Sequence, residues 1–224
     1  MNTPPGAAPV TLASPSTLAL LAANLVPMAG VLFLGWNIGS VLLVYWGETG
    51  VIGLYTVLRI SLVVRRRILL AGPFLLLHFG FFMLFCLGII LMIAHEADKL
   101  ATGSYRAQDY GALAWSLSPA LLAFLVSHGV AFHSRFLGRL EYPDRDGWDA
   151  AERWHQAGEM TRALYQHAVP VMGMAYLAAF IVALFGHSGP LLLIVIALKL
   201  AVDLGLHLAR QPPPPPSRTC TWKP

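Results

Sequence analysis

The chain has 224 residues, 57% of them hydrophobic and only 12% charged, with 15 Lys and Arg against 11 Asp and Glu. A soluble domain carries roughly 25% charged residues; a chain this poor in charge cannot clothe a globular surface in polar groups, and its mean hydropathy of +0.64 points to lipid as its solvent. The formal charge of +4 does not indicate a nucleic-acid partner, because most of the excess is arginine beside apolar runs, where positive charge orients membrane proteins.

Residues 1–15 hold four prolines and no charged side chain, and read as a flexible leader. No basic stretch precedes the first apolar run, so no cleaved signal peptide is expected. A spanning helix needs about 20 apolar residues, and about six segments within residues 16–210 meet that length. The first runs from Thr17 to Leu34 and carries Asn24 and Pro27; the turn Gly35-Trp36-Asn37 follows. The second, Ile38 to Ile60, contains Glu48 and ends at the basic run Arg65-Arg66-Arg67. Pro73 opens the third, which carries His78 and reaches His95. The fourth, Leu113 to Phe132, contains Pro119 and His128. The fifth spans Ala168 to Phe185, and the sixth, Leu191 to Leu208, carries Lys199, Asp203 and His207.

The loop 135–167 is the sizeable polar connection. Asp149 followed by Glu152 forms a capping box, and Ala151, Trp154, Ala157, Met160 and Leu164 recur at helical spacing. Two arrangements of this 147–165 helix fit: flat on the membrane, with Trp148 and Trp154 at headgroup level, or packed on the end of the bundle. The tail, 211–224, contains Pro212 to Pro216 and should be an extended polyproline segment. The 147–165 helix and the 212–216 prolines are the two candidate surfaces for a protein partner; the bilayer is the partner that composition demands. Lys and Arg outside the spans fall almost wholly on one side, with Lys99 and Arg106 on the other. Both chain ends are therefore expected in the cytoplasm, with the protein in a cell membrane, the inner membrane if the source is bacterial. The expected fold is all-α, a polytopic transmembrane helix bundle with one cytoplasmic interfacial amphipathic helix.

Ionisable side chains at hydrocarbon depth cost about 2.5–3.5 kcal/mol each even on insertion scales, so they face the bundle interior and find partners. Here they are Glu48, His78, His128, Lys199, Asp203 and His207, with Asn24 as a neutral companion. Lys199, Asp203 and His207 are spaced i, i+4, i+8 and share one helix face. Glu48 and Lys199 each lie about ten residues into helices of the same direction, near the bilayer middle, and should pair. Asp203, His128, His207, His78 and Asn24 fall in the cytoplasmic half and form a second polar cluster if their helices are neighbours. Asp203 and His207, with His78, are the weak candidates for a metal. No cysteine pair or second helical ligand pair completes a set, so neither metal nor cofactor is expected.

Four stretches carry a resemblance: Asn24-Leu25-Val26-Pro27 with Gly35-Trp36; Tyr45-Trp46-Gly47-Glu48 with Ile52-Gly53; Ser127-His128-Gly129 with Phe136-Leu137-Gly138; and Leu198-Lys199 with Asp203-Leu204 and His207. His78-Phe79-Gly80 is a weaker fifth. Over roughly residues 20–210 the chain resembles a prokaryotic family of multi-pass membrane proteins, the domain of unknown function 6498. The resemblance implies a membrane bundle whose pattern includes these polar residues, and implies no activity. Two positions depart from the family pattern: Thr49 stands where an asparagine follows the glutamate, and Cys86-Leu87-Gly88 where a histidine-glycine pair is expected.

Three functions compete. An inward Glu, Lys, Asp and His set suits a small-solute or ion path, and this reading leads. It requires a water-accessible cavity reaching Glu48 or Asp203. A structural or assembly protein would use the polar pairs only to fix helix packing. A metal-dependent intramembrane enzyme comes last, because the chain has no Gly-x-Ser-x-Gly elbow and no His-Glu-x-x-His helix.

Overall fold

In a computed structural model the described residues are 15–64, 68–102, 110–138, 147–185 and 189–209. Among them the chain is all-α, with helices α1 (Pro15–Phe33), α2 (Ile38–Val64), α3 (Ile68–Thr102), α4 (Tyr110–Ala131), α5 (Ala150–Phe185) and α6 (Gly189–Ala209). α4 passes into a π-helical turn, Phe132–Leu137. Ile38–Val64, Gly72–Glu96 and Gly111–Leu137 are long and apolar enough to cross a membrane, and Leu21–Phe33 is a shorter apolar helix. The leader up to residue 14, the Arg65-Arg66-Arg67 run and the proline tail lie outside the described residues.

The α1–α2 corner is built by local chemistry. Gly35 adopts φ +66°, a conformation that costs glycine nothing and other residues strain. The turn lets the Trp36 N–H reach the Gly30 carbonyl at 3.1 Å. A Cβ on Gly30 would overlap the Trp36 indole, so both glycines serve the same corner. Asn37 then caps α2: its Oδ1 accepts the Ser40 N–H at 3.0 Å.

α2 is the central helix, packed against α3, α4 and α5, while α1 packs against α4 and α6. One apolar cluster surrounds the upper part of α2, where Ile38, Val41 and Val44 meet Cys86 and Ile90 of α3, Phe124 of α4 and Ile196 of α6. A second gathers at the other end of α2, where Ile60, Val63 and Val64 meet Leu75 and Phe79 of α3, Phe136, and Ala157, Met160 and Leu164 of α5. Between helices, half-buried donors find carbonyls: Trp46 Nε1 donates to Met83 O at 2.8 Å, and the Tyr176 hydroxyl to Cys86 O at 3.2 Å.

The amphipathic stretch of the polar loop is helical, but it is not a separate element. It forms the N-terminal half of α5, which runs through Pro170 without a break. Its capping box closes in both directions, Glu152 N–H to Asp149 Oδ1 at 2.9 Å and Asp149 N–H to Glu152 Oε2 at 2.8 Å. Ala157, Met160 and Leu164 are buried against the bundle, while Trp154 is exposed. Arg153 fastens this half to the end of α2, donating to the Val63 carbonyl at 3.0 Å, a cation on a helix C-terminus.

Burial is inverted relative to a water-soluble protein. Phe33, Leu77 and Trp115 are about 80% exposed (81%, 77% and 82%), whereas Glu48, Lys199 and Asp203 are 2%, 4% and 5% exposed. Water would drive the first three inward and the last three outward; hydrocarbon does the reverse.

Candidate functional site

The charged centre is assembled from three helices. Glu48 lies ten residues past the start of α2 and Lys199 ten past the start of α6, about 15 Å along each axis at 1.5 Å per residue. Asn24 sits in the middle of α1. The Lys199 ammonium is the hub: it donates to Glu48 Oε2, lies 2.5 Å from Asp203 Oδ2 and donates to Asn24 Oδ1 at 3.0 Å. Its remaining surroundings are aromatic, with the Tyr45 ring centroid at 5.0 Å and the Phe124 centroid at 5.4 Å. These contacts offset desolvation of the cation on every side.

The balance of the centre is uneven. Two carboxylates share one ammonium, so the ionised triad carries a surplus negative charge in a sealed, low-dielectric interior. Among the described residues neither Asp203 oxygen has a well-aligned hydrogen bond, Oδ2 having only its ion pair with Lys199. The Tyr45 hydroxyl, also buried, has no hydrogen-bond partner among the described residues. Thr49 does not join the centre: its hydroxyl donates back to Tyr45 O at 2.9 Å, one turn earlier on α2.

The expected second cluster does not form as drawn. Asn24 and Asp203 belong to the Lys199 centre instead, because one lysine ammonium gathers every acceptor within reach and its four-carbon stem spans the depth difference. His78 is on the exposed side of α3, and its Nδ1 meets the Tyr165 hydroxyl of α5 at 2.5 Å, with Phe74 stacked on the other side at 5.9 Å. α3 packs on α2 and α5, which fixes that facing. His128 is elsewhere again, in the wall of a cavity between α2, α4 and α5. The His207 side chain lies outside the described residues. No group of three His, Cys, Asp or Glu side chains comes together for a metal among the described residues.

That cavity, ≈ 370 Å³, is lined by Tyr55, Thr56, Arg59, His128, Glu159 and His167, with Ile52 at its inner wall. It does not include Glu48 or Lys199. Apart from His128, none of these polar residues is among the site residues expected from the sequence. The signal was present: Glu48, Ile52, Thr56 and Arg59 recur at i, i+4, i+8 and i+11 along one side of α2. Glu48, Lys199 and Asp203 are the buried hub, and the Cys86 carbonyl accepts the Tyr176 hydroxyl. No curated protein and no solved structure matches the chain. A family model described as a family of unknown function, DUF6498, matches residues 7–219.

Proposed function

The chain belongs to the family of unknown function DUF6498, and on that premise we propose that it is a multi-pass cell-membrane protein of a small-solute or ion transport system, with the Glu48–Lys199–Asp203 centre as its proton-exchanging element. Six spans with both ends in the cytoplasm are part of this reading; the one-sided placement of Lys and Arg supports them. The observation that carries the function is the count of two buried carboxylates to one ammonium. A helix staple needs one pair. The extra carboxylate needs a proton or a small cation, and exchanging that proton is what proton-coupled carriers do at such depth. The cavity supplies an approach from one end: its inner wall, Ile52, is one turn of α2 from Glu48, about 6 Å along the axis. Ile52 separates the two, so the water path that this reading requires stops one turn short of Glu48.

Proteoliposomes loaded with a pH indicator test the proposal under a potassium diffusion potential. Wild-type protein should carry protons faster than protein-free vesicles, and Glu48→Gln or Asp203→Asn should lower the rate about tenfold or more. Equal rates in wild-type and empty vesicles would sink the idea.

The sealing of the triad favours a second reading, in which the centre only fixes α1, α2 and α6 together. Under it the triple variant Glu48→Gln, Lys199→Met, Asp203→Asn, which leaves no buried charge uncompensated, keeps the wild-type phenotype of a deletion strain complemented in trans. Loss of complementation by a folded triple variant counts against it.

A further inference from the structure

We infer that the cavity between α2, α4 and α5 is a water-filled entrance to the triad, and that the Ile52 side chain is the apolar plug that closes it. The inference rests on the triad being proton-exchanging, and it names the path by which water, and with it a proton, comes to that centre.

The walls suit water. The cavity's ≈ 370 Å³ is many times the space of about 10–15 Å³ that one water needs. Arg59 and Glu159 line it with opposite charges, which suits a neutral dipolar occupant better than an ion of either sign. The Tyr55 hydroxyl donates to Leu125 O at 3.0 Å, and the Thr56 hydroxyl to Ile52 O at 2.9 Å. Each has its one proton committed and keeps oxygen lone pairs that accept from water. The mouth lies at the polar end of α5, where Glu159 pairs with the exposed Arg162 at 3.1 Å.

The floor is apolar on all three helices. α2 and α5 run in opposite directions: Ile60 and Val63 meet Ala157 and Met160 at one end, while Val41 and Val44 share the other cluster with Val171. The cavity therefore deepens from Arg59 to Ile52 along α2 and from Glu159 to His167 along α5. One turn beyond His167 stands Val171, and one turn beyond His128 stands Phe124, 3% and 0% exposed. The Phe124 ring already meets the Lys199 ammonium, its centroid 5.4 Å away. One turn beyond Ile52 stands Glu48, so a layer about 6 Å thick parts the cavity from the triad.

A hydrophobic constriction stays dry until a side chain leaves it. Phe124 and Val171 are locked in the core. Ile52 is only partly buried and borders the open space, so it has room to turn. Its rotation would carry water to Glu48 without moving a helix.

The test uses the full chain with Cys86→Ser and Cys220→Ser, and the water-soluble thiol reagent 2-aminoethyl methanethiosulfonate, with labelling followed by mass spectrometry. Thr56→Cys, in the cavity wall, should react readily, and Val171→Cys, past the plug, should not. Adding Ile52→Ala should speed labelling of Val171→Cys about tenfold or more and leave Thr56→Cys unchanged. Ile90→Cys, buried between α2 and α3, should stay inert in both backgrounds. If Ile52→Ala does not fold, Ile52→Val decides by the same comparison with a smaller rise. An inert Thr56→Cys would show a dry cavity and overturn the inference. So would a Val171→Cys indifferent to residue 52, or an Ile90→Cys that gains with it, since the latter marks general loosening. The labelling needs no ion gradient: the expected pattern without proton flux in vesicles sinks the transport reading alone, and flux without the pattern sinks the entrance alone.

Discussion

At the scale of single residues, Lys199 governs the interior. It alone among the described residues answers both buried carboxylates, and it also holds Asn24. Replacing one partner of a buried ion cluster leaves uncompensated charge and costs about 3–5 kcal/mol. Lys199→Met should therefore lower the melting temperature of the detergent-solubilised protein sharply. Adding Glu48→Gln and Asp203→Asn to it should recover most of the loss, because neutral groups need no counter-charge. A triple variant as unstable as the single would show that the lysine stem, and not its charge, matters.

Part of this centre is legible in the sequence. The i, i+4 spacing places Lys199 and Asp203 on one face, and equal depth brings Glu48 to Lys199. Asn24 is legible as a buried polar residue, but its place beside Lys199 and the exposed setting of His78 are not, for a physical reason. Depth along a helix can be counted from its start, but rotation about the helix axis depends on which helices are neighbours. Tyr165 as the partner of His78, and Arg59 and His167 as cavity walls, share that cause.

At the scale of elements, α2 and α3 approach closely because of Gly53, where a Cβ would overlap the Phe79 ring. Packing without voids tolerates little added volume, and overpacking costs about 1–3 kcal/mol. Gly53→Ala should destabilise by that order, and Phe79→Leu in the same chain should relieve part of it; thermal melts of the four combinations make the cycle. α5 carries the other test. Asp149→Ala removes the cap of its first turn and should cost about 1 kcal/mol, seen as faster amide exchange over residues 150–157 with the melting temperature little changed. The sequence marks this cap plainly. It does not mark the continuity of α5, because the amphipathic pattern ends near residue 165 and a separate apolar run begins at Ala168, and a change of pattern looks the same whether or not the helix carries on; surrounding helices and lipid make Pro170 inside it tolerable.

At the scale of the whole molecule, the proposed orientation has a direct check. On a background with Cys86 and Cys220 replaced by serine, His155→Cys in intact cells should resist a membrane-impermeant maleimide until the membrane is opened. Gly111→Cys should react without opening. The reverse pattern would invert the bundle.

The two apolar clusters differ in what surrounds them, and this has a consequence for how the molecule comes apart. Around Val41, Ile90 and Ile196 the alternative to burial is contact with lipid tails, which are as oily as the core itself, so little hydrophobic force holds those helices together. Around Ala157, Met160 and Leu164 the helix carries Glu152, Arg153 and Glu159 and therefore stands in water, where burial is driven by solvent. Urea acts on the second setting and hardly on the first. Rising urea should peel the front half of α5 from the bundle while the lipid-bathed helices stay associated, and harsh detergents should attack in the opposite order.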